Sequence, residues 1–231
     1  MIIAPVTFTE QLVPGLRLPN LPGLPGPFDR GISPRELLAP PKLDSLAGRA
    51  DMFAVKTAQR FRTEEGIAWA ERLARDGHAK VWVDFAKRMR GSQGAVQGWL
   101  GTALLAANMA TTAAVTAAAK RTYGRPRPFV TDPSIVPLGP VPKSASYPSG
   151  HASAAFAAAR IIARLEPTLA KEAYSLATQV AVSRVYAGVH YPSDVIAGAL
   201  LGTGVAEASL RALGKVLPKQ GATAALEAAV A

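Results

Sequence analysis

Residues 147–165 read YPSGHASAAFAAARIIARL. From His151 onward the stretch is a run of Ala with Ile and Leu and with Arg160 and Arg164, a composition that favours helix over strand. Pro148 and Gly150 shape a tight turn ahead of it, and Ser149 or Ser146 is a credible N-cap. A helix start turns its first amides outward, and with the positive end of the helix dipole these form a site for an anion. His151 is one of only three histidines and stands in that first turn, where an imidazole can deliver a proton to whatever the amides hold. Alone the stretch has two readings: a capped helix carrying an exposed histidine, and a phosphate pocket.

On either side of this stretch the helical character continues. Residues 91–119 form an uncharged run rich in Ala and Thr, long enough to span a bilayer but only weakly hydrophobic, with Gln93, Gln97 and Asn108 inside it. Hydropathy alone fits a membrane span or a bundle core. The expectation taken here is the centre of a helical bundle. Further helices run to about Leu213, with Pro167 separating two of them and Pro192-Ser193-Asp194 opening the last. From Ser45 to Arg90 the pattern is helical and strongly charged, with Gly66 and Gly77 as expected breaks and His78 in a polar turn. No alternating strand pattern extends beyond a few residues. The reading is all-α: residues 1–44 as an extended arm holding nine of the nineteen prolines, then one helical domain over 45–231 with its core at about 95–213.

Composition narrows the function. Hydrophobic residues make up 49% of 231 and aromatics 6%, so the core is built from small aliphatic side chains. There is no cysteine, hence no disulfide and no thiolate metal site. The net charge of +10 favours anionic partners. Basic residues are scattered with no interleaved aromatics, a pattern that does not support nucleic-acid binding. The first nineteen residues lack a basic start and are interrupted by Pro5 and Glu10, so no signal peptide is read there. The expected location is cytoplasmic or peripheral to a membrane.

Two further clusters accompany the opening stretch. Lys120-Arg-Thr-Tyr-Gly-Arg125-Pro-Arg127-Pro128 closes the uncharged run. Helix termination accounts for cations at 120 and 121, but not for Arg125 and Arg127 in a proline-stiffened loop, where guanidinium forks suit phosphate. The other cluster is Ser183-Arg184, then His190 and Asp194. The four-residue offset lets the carboxylate accept a bond from one imidazole nitrogen and leaves the other as a basic lone pair.

In order and spacing, Lys120…Arg127-Pro128, Pro148-Ser149-Gly150-His151 and Ser183-Arg184…His190…Asp194 resemble the three-part signature of the type 2 phosphatidic acid phosphatase and vanadium haloperoxidase superfamily. The resemblance covers roughly residues 95–213 and implies a helical bundle with its active site at the helix ends. It implies that Lys120, Arg127 and Arg184 bind phosphoryl oxygens, that the Ser149 hydroxyl and the Gly150 amide complete the cradle, and that no metal or other cofactor takes part. It further implies that His190 attacks phosphorus, Asp194 orients His190, and His151 protonates the leaving oxygen and then activates water. The expected substrates are phosphate monoesters or lipid and isoprenoid (di)phosphates. Arg121 after the motif lysine and Tyr191-Pro192-Ser193 after the motif histidine are similar to the phosphatase branch. The alternative is a haloperoxidase holding vanadate in the same pocket. The family's membrane members use about six spans, whereas here charges such as Arg160, Lys171 and Glu207 interrupt the later helices, so a soluble or peripherally attached member is expected.

Overall fold

The computed structural model describes residues 39–77, 80–92 and 95–216. Most of the proline-rich arm, His78, Gln93 and the last fifteen residues lie outside them. The helices are α1 (Leu46–Arg60), α2 (Glu64–Asp76), α3 (Lys80–Ser92), α4 (Ala95–Tyr123), the single turn α5 (Pro128–Thr131), α6 (Gly150–Leu165), α7 (Ala170–Tyr186) and α8 (Pro192–Val216), with a 3-10 turn at Pro167–Leu169. No strand occurs among the described residues.

Local sequence sets the boundaries. Ser45 caps α1, its hydroxyl accepting from the Gly48 amide, and Thr63 caps α2 in the same way from Gly66. The break between these helices therefore falls at Phe61–Thr63, whereas Gly66, expected to be the breaker, sits inside the first turn of α2. It is needed there for room: a Cβ at Gly66 would lie 2.1 Å from the Tyr186 hydroxyl oxygen. Gly77 does end its helix, as the C-cap of α2. The proline-stiffened loop that holds Arg125 and Arg127 runs into one helical turn, α5, begun by Pro128 at its first position.

The bundle is centred on α6, not on the uncharged run. Helix α6 packs against α8, α7, α4 and α3, and nine of its residues are buried, six of them alanines. Small side chains let neighbouring backbones close in. On α8, Gly198 and Gly202 face α6 so tightly that a Cβ would lie 2.5 Å from the Ser149 carbonyl oxygen and 2.0 Å from that of Ser153. The principal core joins Trp69, Leu73, Trp82, Phe85 and Met89 of α2 and α3 to Ile161, Ile162 and Val180 of α6 and α7.

Helix α4 buries one stripe only, at Gly101, Leu105, Asn108, Thr112, Thr116 and Ala119, and leaves Ala103, Ala106, Ala107, Ala110, Ala113, Ala114 and Ala117 exposed. This corrects the expectation that the uncharged run is the centre of the bundle. The outer face of α4 is as apolar as the buried stripe, made largely of seven alanines with Trp99 and Leu100, so composition could not tell the two apart. Two segments, Gly98–Thr131 and Pro192–Leu213, are long and apolar enough to cross a membrane, with 28% and 39% of their most apolar windows buried in the bundle.

The segment before α4 is stitched to the later helices by polar contacts. Arg62 donates from Nε and Nη2 to the Tyr186 carbonyl at 3.0 and 2.9 Å and from Nη1 to the Val136 carbonyl at 2.7 Å. The Tyr186 hydroxyl in turn accepts from the Thr63 amide at 2.9 Å.

Candidate active site

Three helix ends meet at one end of the bundle. Helix α4 delivers Lys120 in its last turn, the stretch before α5 delivers Arg127, and α7 delivers Arg184 in its last turn. The start of α6 brings Gly150 and His151. Between α7 and α8 the chain reverses at Gly188, whose φ of +72° lies in the left-handed region that glycine tolerates. The amides of Val189 and His190 then donate back to the Arg184 carbonyl, which fixes His190 just ahead of Pro192 at the start of α8.

These residues wall one cleft of about 340 Å³. Lys120, Arg127, Arg184, Gly150, His151 and His190 line it, and Ala74, Val189 and the Pro140-Val141-Pro142 segment add an apolar side. Three cations thus share a small volume with two imidazoles and no carboxylate in the wall. Lys120 donates to the carbonyls of Ala145 and Ser146. Arg127 donates to the Val189 carbonyl at 2.6 Å and the Ser144 carbonyl at 2.8 Å. Arg184 donates to the Ala70 carbonyl at 2.7 Å. Each cation is held by neutral carbonyls, so its charge is left largely uncompensated. Burial, together with the charge of Arg127, lowers Lys120 to about 8, and burial lowers Arg127 and Arg184 to about 10.

His190 is buried at the back of the cleft, 3% exposed. Its Nδ1 lies 3.3 Å from Asp194 Oδ2, and its Nε2 lies 3.2 Å from Arg127 Nη1. A carboxylate on one side and a guanidinium donor on the other fix the tautomer: Nδ1 carries the proton and Nε2 the lone pair. Desolvation, reinforced by the charges of Arg127 and Lys120 and only partly opposed by Asp194, lowers its pKa to about 4, so the ring is neutral at pH 7. Burial alone would raise Asp194, but hydrogen bonds from His190 and Ser146 and the charge of Arg125 hold it below the usual carboxylate range.

Most of the residues singled out from sequence are therefore brought together. Lys120, Arg127, Gly150, His151, Arg184 and His190 share the cleft, and Asp194 stands directly behind His190. Ser149 is the N-cap of α6, and its fully buried hydroxyl accepts from the Ala152 amide at 3.4 Å instead of lining the cleft. The Ser149 amide is likewise engaged, donating to the Asp194 carbonyl at 2.9 Å. His151 Nε2 lies 3.2 Å from the Ala74 carbonyl at the rim. Among the described residues no group of three or more His, Asp or Glu side chains is arranged to hold a metal ion.

Two participants, Ser146 and Asp51, escaped the sequence reading, and a third, Arg125, was read with Arg127 as suited to phosphate but does not line the cleft. Ser146, considered only as a helix cap, donates its hydroxyl to Asp194 Oδ2. Arg125 bonds Asp194 Oδ1 at 2.6 Å, and Asp51 of α1 bonds Arg125 at 2.9 Å. The available signals were an arginine that helix termination did not explain and an acid on the apolar stripe of α1, flanked by Gly48 and Val55 at helical spacing.

Comparison with known proteins agrees with this geometry. The family model described as the PAP2 superfamily matches residues 101–217, which hold all three motifs. A decaprenylphosphoryl-5-phosphoribose phosphatase of Mycobacterium tuberculosis is 40% identical over 86 residues, 37% of this chain and 46% of that protein. The chain spans less than half the length of the curated relatives it matches. A transmembrane PAP2-type phosphatidylglycerolphosphate phosphatase from Bacillus subtilis has the same fold, with a TM-score of 0.58 at 23% identity over 77% of this chain and 91% of that one. A bacterial vanadium-dependent iodoperoxidase also superimposes, with a TM-score of 0.64 at 19% identity over 76% of this chain and 52% of the other. Since the family match covers half of the chain and includes every cation and both histidines of the cleft, the protein belongs to the PAP2 superfamily.

Proposed function

We propose that the protein is a phosphatase that hydrolyses phosphate esters through a phosphohistidine. The observation that carries this reading is the cleft itself, where three carbonyl-held cations surround a neutral, carboxylate-oriented imidazole. Lys120, Arg127 and Arg184 neutralise the non-bridging phosphoryl oxygens, and the charge they supply is what phosphoryl transfer demands as its transition state forms. No metal ion or other cofactor is assigned a role. The Nε2 lone pair of His190 forms the bond to phosphorus while the bond to the leaving oxygen breaks, and His151 donates a proton to that oxygen. Asp194 stabilises the positive charge gained by the His190 ring. Water then attacks the phosphohistidine, His151 takes its proton, and inorganic phosphate leaves with the nitrogen lone pair restored to His190.

The substrate is a phosphate monoester or diphosphate carried on a lipid or isoprenoid. The apolar wall of Pro140, Val141, Pro142 and Val189 beside the cations suits a group that is charged at one end and greasy beyond it. The names of the mycobacterial relative and of the Bacillus subtilis structure agree with this class. The expected site of action is a membrane surface, which the two helices of spanning length and apolarity support.

Release of inorganic phosphate from phosphatidic acid, a prenyl diphosphate and p-nitrophenyl phosphate tests the reading. Activity is expected to survive EDTA, to be blocked by vanadate and to vanish in His190→Ala. Full activity in that variant overturns the mechanism. Halogenation by the vanadate-loaded protein with peroxide and bromide, without phosphate release, overturns the function.

A further inference from the structure

Helix α1 lies entirely ahead of residues 101–217, yet it inserts a carboxylate behind the cleft. Asp51 is 6% exposed. Its Oδ2 accepts from Arg125 Nη2 at 2.9 Å and from the Ser193 hydroxyl, and its Oδ1 accepts from the Ser193 amide at 3.0 Å. Arg125 is spent on the same group: its Nη1 reaches Ser193 Oγ at 2.7 Å and Asp194 Oδ1 at 2.6 Å, with the guanidinium 4.0 Å over the Tyr191 ring. The other oxygen of Asp194 takes Ser146, the Tyr191 amide at 2.9 Å and His190 Nδ1. An unbroken polar path thus runs from α1 through Arg125 and Asp194 to His190.

Stability does not account for this arrangement. Removing two carboxylates and a guanidinium from water costs as much as their attraction returns, and well-packed apolar side chains would hold α1 equally firmly. What the path supplies is direction. Asp194 has two oxygens and could offer either to His190. Arg125 claims Oδ1, and Arg125 is itself kept from swinging because Asp51 holds its far nitrogen. Tying α1 to the first turn of α8 through Ser193 keeps the frame from rotating.

We infer that Asp51 is a positioning residue for His190, acting through Arg125 and Asp194 to keep one carboxylate oxygen on Nδ1 and the lone pair on Nε2. The inference rests on the reading of His190 as nucleophile. Asp51→Asn separates charge from capping, because the asparagine oxygen can still accept from the Ser193 amide. In the full chain, D51N is expected to lose roughly tenfold in kcat on p-nitrophenyl phosphate with KM changed less than about twofold, because misorientation affects the reacting geometry more than binding. At pH 7 the ¹⁵N spectrum of the His190 ring is expected to change from a single Nδ1-protonated tautomer to an averaged mixture, while the melting temperature stays near that of the parent. Should D51N fail to fold, Arg125→Lys carries the same test, since a point charge cannot bridge both carboxylates. An unaltered tautomer with parental kcat in either folded variant overturns the inference. A parent protein without turnover overturns the phosphatase reading alone; the tautomer then decides the inference by itself, a mixture in D51N supporting it and an unchanged ring overturning it.

Discussion

The seam between α6 and α8 gives a prediction with a counter-intuitive sign. Replacing a helix-interior glycine by alanine normally stabilises by about 1 kcal/mol, because alanine costs less backbone entropy and has higher helix propensity. At Gly202 the new methyl carbon would lie 2.0 Å from the Ser153 carbonyl oxygen, 2.8 Å from its carbon and 3.0 Å from the Ala157 amide nitrogen. All three are backbone atoms of the central helix and cannot rotate aside. Ordinary contact begins at 3.4 Å, so the helices must separate by up to about 1.4 Å along the seam. Overpacking of this kind costs about 1–3 kcal/mol, and more where neither backbone yields. The net expectation is a loss of about 2 kcal/mol, or roughly 4–8 °C in Tm for a chain of this size. Function should suffer beyond stability, because α6 carries Gly150 and His151 while α8 begins just after His190. A roughly 1 Å shift between them misaligns the two histidines, at a cost of up to about a hundredfold in rate. Urea unfolding, calorimetry and phosphate release on Gly202→Ala check this, with Gly91→Ala as the control, since no atom lies within 4 Å of a Cβ built there. A G202A protein as stable and active as its parent would refute the close-packed seam.

Two further outcomes follow from the electrostatics. His190 is held neutral with its pKa lowered from 6.5 to about 4, so the unfolded chain binds a proton that the folded one refuses; stability should fall as pH drops from 6.5 toward 4, by about 3 kcal/mol, in excess of the slope shown by His190→Gln in urea titrations. Lys120, lowered to about 8 by burial and the charge of Arg127, loses its charge as pH rises through that value, so vanadate or phosphate affinity should weaken above pH 8 by calorimetric titration, and Lys120→Arg should move the break upward.

What was legible in the sequence is what short-range rules govern. The cap at Ser149, the proline start of α8 and the four-residue offset of His190 and Asp194 are all local, and five of the proposed side chains do meet in one cleft with Gly150. Longer-range features were not legible. The uncharged run was expected at the bundle centre, yet α6 sits there, because alanine is equally at home buried, as in α6, or exposed, as on the outer face of α4. Ser149 was assigned to the anion, to which its hydroxyl would donate, but that hydroxyl instead accepts from the Ala152 amide of its own helix, and sequence leaves open which of the two it does. Asp51 and Arg125 are 74 positions apart, and no local rule pairs them.

Arg62 has a consequence for how the chain opens. It lies 39 residues ahead of the family match, yet it holds the end of α7 by two bonds across 124 positions and the loop before the cleft by a third. Releasing α7 therefore means breaking contacts with the helices that precede α4, and the reverse holds equally. The cooperative unit is wider than the segment recognised by likeness: in native-state hydrogen exchange, amides of α2 and α7 should open together, as one foldon rather than two. An anion that tightens the cleft would then slow exchange in α2 as well, by mass action on that shared opening.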